Sequence, residues 1–429
     1  MKQPYTLLIS SQPKPDVKQA LRLTTYFLLL FTIIALIVRN KCYADPTSYF
    51  FRPSIAYAAP HSSHRIDQAD RYAESFTQLR TTSTDIKPAT VSSSPSTTLC
   101  VGISSVRRPR LSYLKTTLSS MQDGLDGNDR KNLYFVVLLA HTNQSVHPDF
   151  GAPWLRGMAD KLLTYGSEND TTYDVAKEME ESGGHEVKSK FDYSLVMSEC
   201  LKSHSDYVLM VEDDVVFTST WWTKTKDALS TVKTQTEQMG YENFYYLRLF
   251  YYESIQGWNA ESWPRYLLLS AGIAATVFFA LLAFQSHKLM RSFRLHTLSI
   301  LLVTFVFTPA VISLYFSAGA VCMLPNPQGV QLMPEYACCG QALVFPRATV
   351  QDDVLPLFHQ NEWNKTPVDS LIEKYADGMS GEIGDMRWAI TPVLLQHVGS
   401  QSSHGVARDS GYGNMTPYKL WNFGFERVD

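Results

Sequence analysis

The residues of this sequence best placed to do chemistry are three consecutive acids, Glu212-Asp213-Asp214. They follow the apolar run YVLMV and precede Val215-Val216-Phe217. Crowded carboxylates repel one another, so each resists ionisation unless something positive compensates it. A hard divalent cation carrying a diphosphate meets that need: carboxylates hold the ion, and the ion neutralises the phosphates and the leaving group. The alternative is a solvated acidic loop at a strand end. A second pair, Asp352-Asp353, follows a Pro-Arg turn and is set aside as a decoy.

The elements around the triplet alternate in type. LCVGISSV reads as a strand, YLKTTLSSMQDGL as a helix and NLYFVVLLA as a strand, followed by an apolar-periodic stretch around WLRGMADKLLTY. FDYSLVMSECLKSH then reads as a helix and DYVLMVEDDVVF as a strand with its acids near the end; ALVFPRATV looks like a later strand running into a turn and helix. Buried runs such as VVLLA and YVLMV with helices between them indicate a mostly parallel sheet covered on both faces, an α/β architecture of nucleotide-binding style. No internal repeat is evident.

Three apolar stretches approach or exceed the ~20 residues that cross a bilayer as a helix: residues 21–38, 266–284 and 297–321. The first is flanked by Lys14, Lys18, Arg22, Arg39 and Lys41 and lacks a small-residue cleavage site, so it reads as an anchor rather than a signal peptide. The second and third are joined by a loop, 285–296, that holds Lys288, Arg291 and Arg294 and no acid. Short basic loops stay cytoplasmic, which places the large segments on the opposite, lumenal side. Sequons at Asn143, Asn169, Asn364 and Asn414 all fall on that side. Six cysteines (Cys42, Cys100, Cys200, Cys322, Cys338, Cys339) suit an oxidising compartment; their pairing stays open, and adjacency makes a Cys338–Cys339 bond the less favoured one. A formal charge of −3 gives no footprint for nucleic acid. Spans without intramembrane acids or bases offer no ion pathway, which argues against a transporter.

LMVEDDVVF resembles the DxD-type motif of GT-A glycosyltransferases. VGISSVRR, YLKTTLSS, FVVLLAHTN, VKSKFDYSLVM, ALVFPRATV, TPVDSLIEKY and LLQHVGSQSS resemble, in the same order, the N-acetylglucosaminyltransferase IV-like enzymes and the related GPI-glycan N-acetylgalactosaminyltransferase. A GT-A domain split by two membrane helices, with an N-terminal anchor, favours the second. That resemblance implies Mn²⁺ and a UDP-sugar donor (UDP-GalNAc or UDP-GlcNAc), a GPI-anchored protein glycan as acceptor, and a multi-pass Golgi membrane protein with a lumenal catalytic domain. It implies metal ligation by Asp214 and His397 with Glu212 contributing, and nucleotide-sugar binding by Arg107, Arg108, Lys188, Glu212 and Asp213. Asp369 matches the catalytic base of an inverting transfer, with Glu253 as runner-up. Asp369 also looks like part of a helix N-cap, and surface Arg and Lys are usually just solvated. An N-glycan-branching transferase and a non-catalytic membrane scaffold are the competing readings.

The expected organisation is a cytoplasmic tail (1–20), an anchor (21–38), a lumenal stem (43–98), a first GT-A part (99–264), a membrane hairpin (266–321) and a second GT-A part with a C-terminal tail (322–429). The Ser/Thr/Pro-rich end of the stem is expected to be extended, and the tail beyond Ser403 to be a surface extension or an acceptor loop.

Overall fold

The computed structural model describes residues 15–82, 97–108, 111–166, 170–286, 294–334, 339–360, 364–399 and 420–427. The chain forms two compact units, each built from separated stretches: Met1–Ala56 with Gln256–Pro325, and Tyr57–Ile255 with Asn326–Asp429.

The larger unit is organised on an eight-stranded sheet. Its strands are β1 (Leu99–Ser105), β2 (Leu133–Leu139), β3 (Lys161–Leu163), β4 (Tyr207–Glu212), β6 (Tyr246–Arg248), β7 (Gly329–Leu332), β8 (Ala342–Pro346) and β9 (Arg387–Thr391); a separate two-stranded sheet pairs β5 (Val215–Phe217) with β10 (Leu395–His397). The order across the large sheet is β3-β2-β1-β4-β8-β6-β9-β7. β8 is antiparallel to β4 and β6, and β7 to β9, while the other neighbours are parallel. The sheet is therefore mixed, with six strands running one way. The chain leaves β1 for β2 on one side and later returns to β4 on the other, which creates a switch point where carboxyl ends of strands open a crevice. Ser104 is in register with Glu212 there, so the end of β1 lies beside the acidic triplet. DYVLMVEDDVVF is thus two strands in two sheets, bent at the last two acids.

The continuous apolar runs are explained by burial on both faces. Val101, Ile103, Leu209 and Val211 enter one core, and Cys100, Val208 and Met210 the other. WLRGMADKLLTY divides into a helix, Pro153–Met158, and β3. Cys100 and Cys200 form a fully buried disulfide that ties β1 to the helix His185–Lys202.

Three helices are long and apolar enough to cross a membrane: Asp16–Lys41, Glu253–Ser286 in its apolar portion, and Thr297–Ser317. In the smaller unit the first and third run side by side. Gln19 Oε1 accepts from His296 N at 2.7 Å and Ser299 Oγ at 2.9 Å near their starts, and Cys42 is bonded to Cys322 beyond their ends. The third carries a π turn, Val303–Phe307, just ahead of Pro309. Proline has no N–H to give and its ring crowds the preceding turn, so the wider turn relieves the clash.

Two expectations are corrected. The folded chain starts well before Leu99: Pro60–Thr82 is a helix packed against Leu114–Gln122. Its inward face is Ser62, Arg65, Ala69 and Ala73, all buried, and Arg65 donates to Phe217 O at 2.9 Å and Ser120 O at 3.2 Å. A stripe of small and polar residues hides such a helix from hydrophobic periodicity. Residues 43–56 belong with the apolar helices instead of a stem. The end of the tail is core as well: Trp421, Asn422, Phe423 and Phe425 are buried, with Asn422 donating to Gln396 Oε1 at 3.0 Å and to Tyr251 O at 2.9 Å. Cys339 is disulfide-bonded. Cys338, Asn169, Asn414, Lys288, Arg291, residues 83–96 and residues 400–419 lie outside the described residues.

Candidate active site

The switch point gathers residues from every neighbouring element. β4 ends on Glu212, and the turn to β5 exposes Asp213 and Asp214 to the end of β1. There Arg108, buried, pairs with Asp213 Oδ1 at 2.7 Å and with Asp214 Oδ2 at 3.1 Å. The compensating charge expected of a cation is thus partly supplied by the protein. Ser105 Oγ donates to the other Asp213 oxygen, so both oxygens of that carboxylate are used.

β10 pairs with β5 so that His397 faces Val215, and the imidazole Nε2 comes within 3.4 Å of Asp214 Oδ2. Val398 N donates to Asp214 O at 2.9 Å, and a Cβ at Gly399 would stand 2.2 Å from Asp214 Oδ2. Only glycine lets this strand end close so tightly over the carboxylate.

Because β8 runs against β4, its entry lies beside Glu212. Gln341 Nε2 donates to Glu212 Oε2 at 3.2 Å, and Gly340 sits between Glu212 and Asp369: a Cβ there would be 3.5 Å from Glu212 Oε1 and 3.5 Å from Asp369 Cβ. Asp369 lies in the first turn of the helix Val368–Gly378 but caps nothing further along; its Oδ1 accepts from Ser370 N at 2.7 Å. The capping alternative is therefore replaced by an acid facing the triplet across a glycine.

The electrostatics follow from this crowding. Burial, then Asp214 with Asp369 and Asp213, pushes Glu212 up to about 8 against the pull of His397. Burial raises Asp213 to about 6 against the pull of Arg108. Burial would raise Asp214 too, but His397, hydrogen-bonded to it, and Arg108 hold it down at about 2. His397 is pushed down by burial, yet Asp214 outweighs that and its pKa is raised.

Two buried acceptors in this cluster have no hydrogen-bond partner: Asp214 Oδ1 and His397 Nδ1. Unpartnered buried polar atoms are costly, and a divalent cation would satisfy either one. Among the described residues no group of three or more His, Cys, Asp or Glu is arranged as a metal cage. Two protein ligands with phosphate and water completing the shell is the usual arrangement for a hard cation that carries a nucleotide, so the residues fit.

The remaining candidates part company. Arg107 and Arg108 line an open hollow of 440 Å³ with Leu111, Ser112, Ser145, Val146 and Pro148. Lys188 instead gives its ammonium to Asp192 at 2.9 Å, to the Tyr165 hydroxyl at 2.5 Å and to Ala140 O at 2.9 Å, a buried knot that fixes its helix to the end of β2. Glu253 accepts from Phe423 N at 3.0 Å and Gly424 N at 3.2 Å and so holds the C-terminal segment in place. Neither joins the triplet. Asp352 and Asp353 fall in a π turn, Val350–Val354.

Two residues near the site are not among those the sequence singles out. Tyr193 lies in the field of Glu212, Asp369, Asp213 and Asp214, its phenol pushed well above the usual range by burial and then by those acids. His147 reaches Ser105 Oγ at 3.0 Å.

A family model described as GPI-N-acetylgalactosamine transferase PGAP4 matches residues 99–396. The chain belongs to that family. The match runs across both sequence stretches of the larger unit and reaches Gln396, one residue short of His397. The protein is accordingly a glycosyltransferase, a GPI-N-acetylgalactosamine transferase, that carries three membrane-spanning candidates. No curated protein sequence matches it.

Proposed function

We propose that this transferase takes GalNAc from UDP-GalNAc and adds it, with inversion at the anomeric carbon, to the glycan of GPI anchors, assisted by Mn²⁺ at Asp214 and His397. The observation that carries this reading is the pair of unpartnered buried atoms, Asp214 Oδ1 and His397 Nδ1, in a cluster where Gly340 lets Asp369 come up to Glu212. The cation would neutralise the diphosphate as it departs. Arg108, and Arg107 at the rim of the hollow, receive the nucleotide diphosphate. Asp369 takes the proton of the acceptor hydroxyl while that oxygen attacks C1 of the sugar and the C1–O bond to the diphosphate breaks. One base and one leaving group on opposite faces suffice for inversion. Tyr193 helps to exclude water from the acids.

A Golgi lumenal setting for the larger unit is supported by the buried Cys100–Cys200 disulfide, which persists only in an oxidising compartment. Asn143 and Asn364 are exposed, and each accepts from the hydroxyl of its sequon, at 2.6 Å from Ser145 and 2.8 Å from Thr366.

The test is release and transfer of sugar from UDP-GalNAc and UDP-GlcNAc by the detergent-solubilised protein, with Mn²⁺ or EDTA and with GPI or N-glycan acceptors. Metal-dependent transfer of GalNAc to a GPI glycan is expected. Transfer only to an N-glycan would move the assignment to a branching enzyme, and no turnover of any donor would leave a scaffold.

A further inference from the structure

The triplet is joined to a histidine that the mechanism above does not use. His147 is 2% exposed and lies in the segment that forms one wall of the hollow, between Val146 and Pro148; Arg107, Arg108, Leu111 and Ser112 line it as well, the first two just beyond the end of β1. Its Nδ1 accepts from Asp149 N at 3.2 Å, which leaves the ring proton on Nε2, 3.0 Å from Ser105 Oγ. Ser105, having accepted that proton, is free to direct its own to Asp213 Oδ2. The result is a one-way chain of donors, His147 to Ser105 to Asp213, and Asp213 in turn holds Arg108 Nη1 at 2.7 Å. Protonating the ring would point a second N–H at Asp149 N–H, 3.2 Å away, with the Asp149 carboxylate farther off at 3.9 Å. Burial, with His141 and Arg108 nearby, keeps it neutral by lowering its pKa to about 4.

We propose that His147 is a positioning residue of the nucleotide-diphosphate site: through Ser105 it fixes the orientation of the Asp213 carboxylate, and thereby the guanidinium of Arg108 at the mouth of the hollow. This rests on the donor reading above. Chains that orient a charged ligand-binding group from behind typically change affinity by about 10- to 100-fold when broken.

The experiment measures the affinity of the detergent-solubilised full chain for UDP with Mn²⁺ by calorimetry, without turnover. His147→Ala is expected to weaken binding by about 10-fold, and Ser105→Ala by a similar factor. The double variant should be no worse than either alone, because both break one chain. His147→Gln, whose amide Nε2 can still donate to Ser105, should recover most of the loss. Additive losses, or no recovery with Gln in a protein of unchanged Tm, would overturn the proposal. If His147→Ala does not fold, Ser105→Ala and His147→Gln carry the same comparison. A ¹⁵N spectrum of histidine-labelled protein reads the chain without nucleotide: the His147 ring should be neutral, protonated on Nε2, and should shift in Asp213→Asn. A ring protonated on Nδ1 sinks the proposal even if UDP binds. Absence of UDP binding in the wild type, with the expected spectrum, sinks the donor reading and leaves the hydrogen-bond chain standing.

Discussion

Two buried clusters of acids and arginines lie in the same unit and are built to opposite ends. Under the helix Val368–Gly378, Glu373 accepts from the Tyr246 hydroxyl at 2.6 Å, Arg248 Nη2 at 3.1 Å and Arg387 Nη1 at 2.9 Å. Asp377 adds a second pair to Arg387 at 2.8 Å, so two guanidinium groups face two carboxylates. At the end of β4, Glu212, Asp213, Asp214 and Asp369 share one paired guanidinium, Arg108, and one histidine, and a carboxylate oxygen is left without a partner. The balanced cluster matches each guanidinium with a carboxylate and anchors the helix whose first turn carries Asp369. The unbalanced one needs something from outside. Charge balance, rather than burial or proximity, separates the structural cluster from the functional one.

The sharpest way to break this contrast is to remove one acid from each. Asp214→Ala is expected to lower sugar transfer by about 10³-fold, the several kcal/mol that a metal-held charge contributes, and to abolish tight Mn²⁺ binding while the protein stays folded. Transfer assays beside a melting curve check both. Asp369→Asn should fall by about 10²- to 10⁴-fold, the range for loss of a general base, with Mn²⁺ binding kept. Glu373→Ala should do the reverse, losing about 3–5 kcal/mol of stability because the buried Arg248 guanidinium loses its carboxylate and Arg387 one of its two. A Glu373→Ala protein that melts like the wild type would erase the distinction.

A subtler effect concerns pH. Glu212 in the folded protein titrates at about 8 and Asp213 at about 6, above the ordinary carboxylate values of 4.5 and 3.8. Between those values the folded state holds protons that the unfolded chain has released, so stability falls as pH rises. His397, also raised, adds the same sign as pH climbs past 6.5. Metal-free protein should therefore melt at a lower temperature at pH 8 than at pH 6.5, above the range in which the lowered pKa of His147 acts with the opposite sign, and Glu212→Gln should flatten that slope. Thermal melts across that range with EDTA decide it. The smallest change is expected from Glu253→Gln: a stability loss of about 1 kcal/mol from weaker bonds to Phe423 N and Gly424 N, with transfer retained. A loss of transfer comparable to that of Asp369→Asn would restore Glu253 as the base.

What could be read from the sequence follows the same division. The triplet, Arg108, His397 and Asp369 stood out because crowded charge at strand ends is unusual and because each lay in a recognisable segment. Lys188 stood in an equally recognisable segment, and nothing in the linear pattern tells a cation facing a crevice from one bonded to an acid one helical turn away; Glu253 was a runner-up without such a segment. His147, Gly340 and Gly399 were invisible because their roles exist only once β1, β8 and β10 converge. The helix Pro60–Thr82 was missed for a different reason, since the side chains it buries are a serine, an arginine and two alanines.

The bond between Cys42 and Cys322 spans 280 residues, and Phe425 packs into the same core as Leu99. During synthesis at about 5–20 residues per second, the first thiol waits some tens of seconds for its partner, and the sheet waits longer still for its last side chains. The smaller unit can close only once Pro325 has been made, and the larger only when the chain is nearly complete. The first half of each unit must be sheltered until its second half arrives, and a stop codon before Gln256 leaves both units unfinished, whereas one beyond Pro325 spares the smaller.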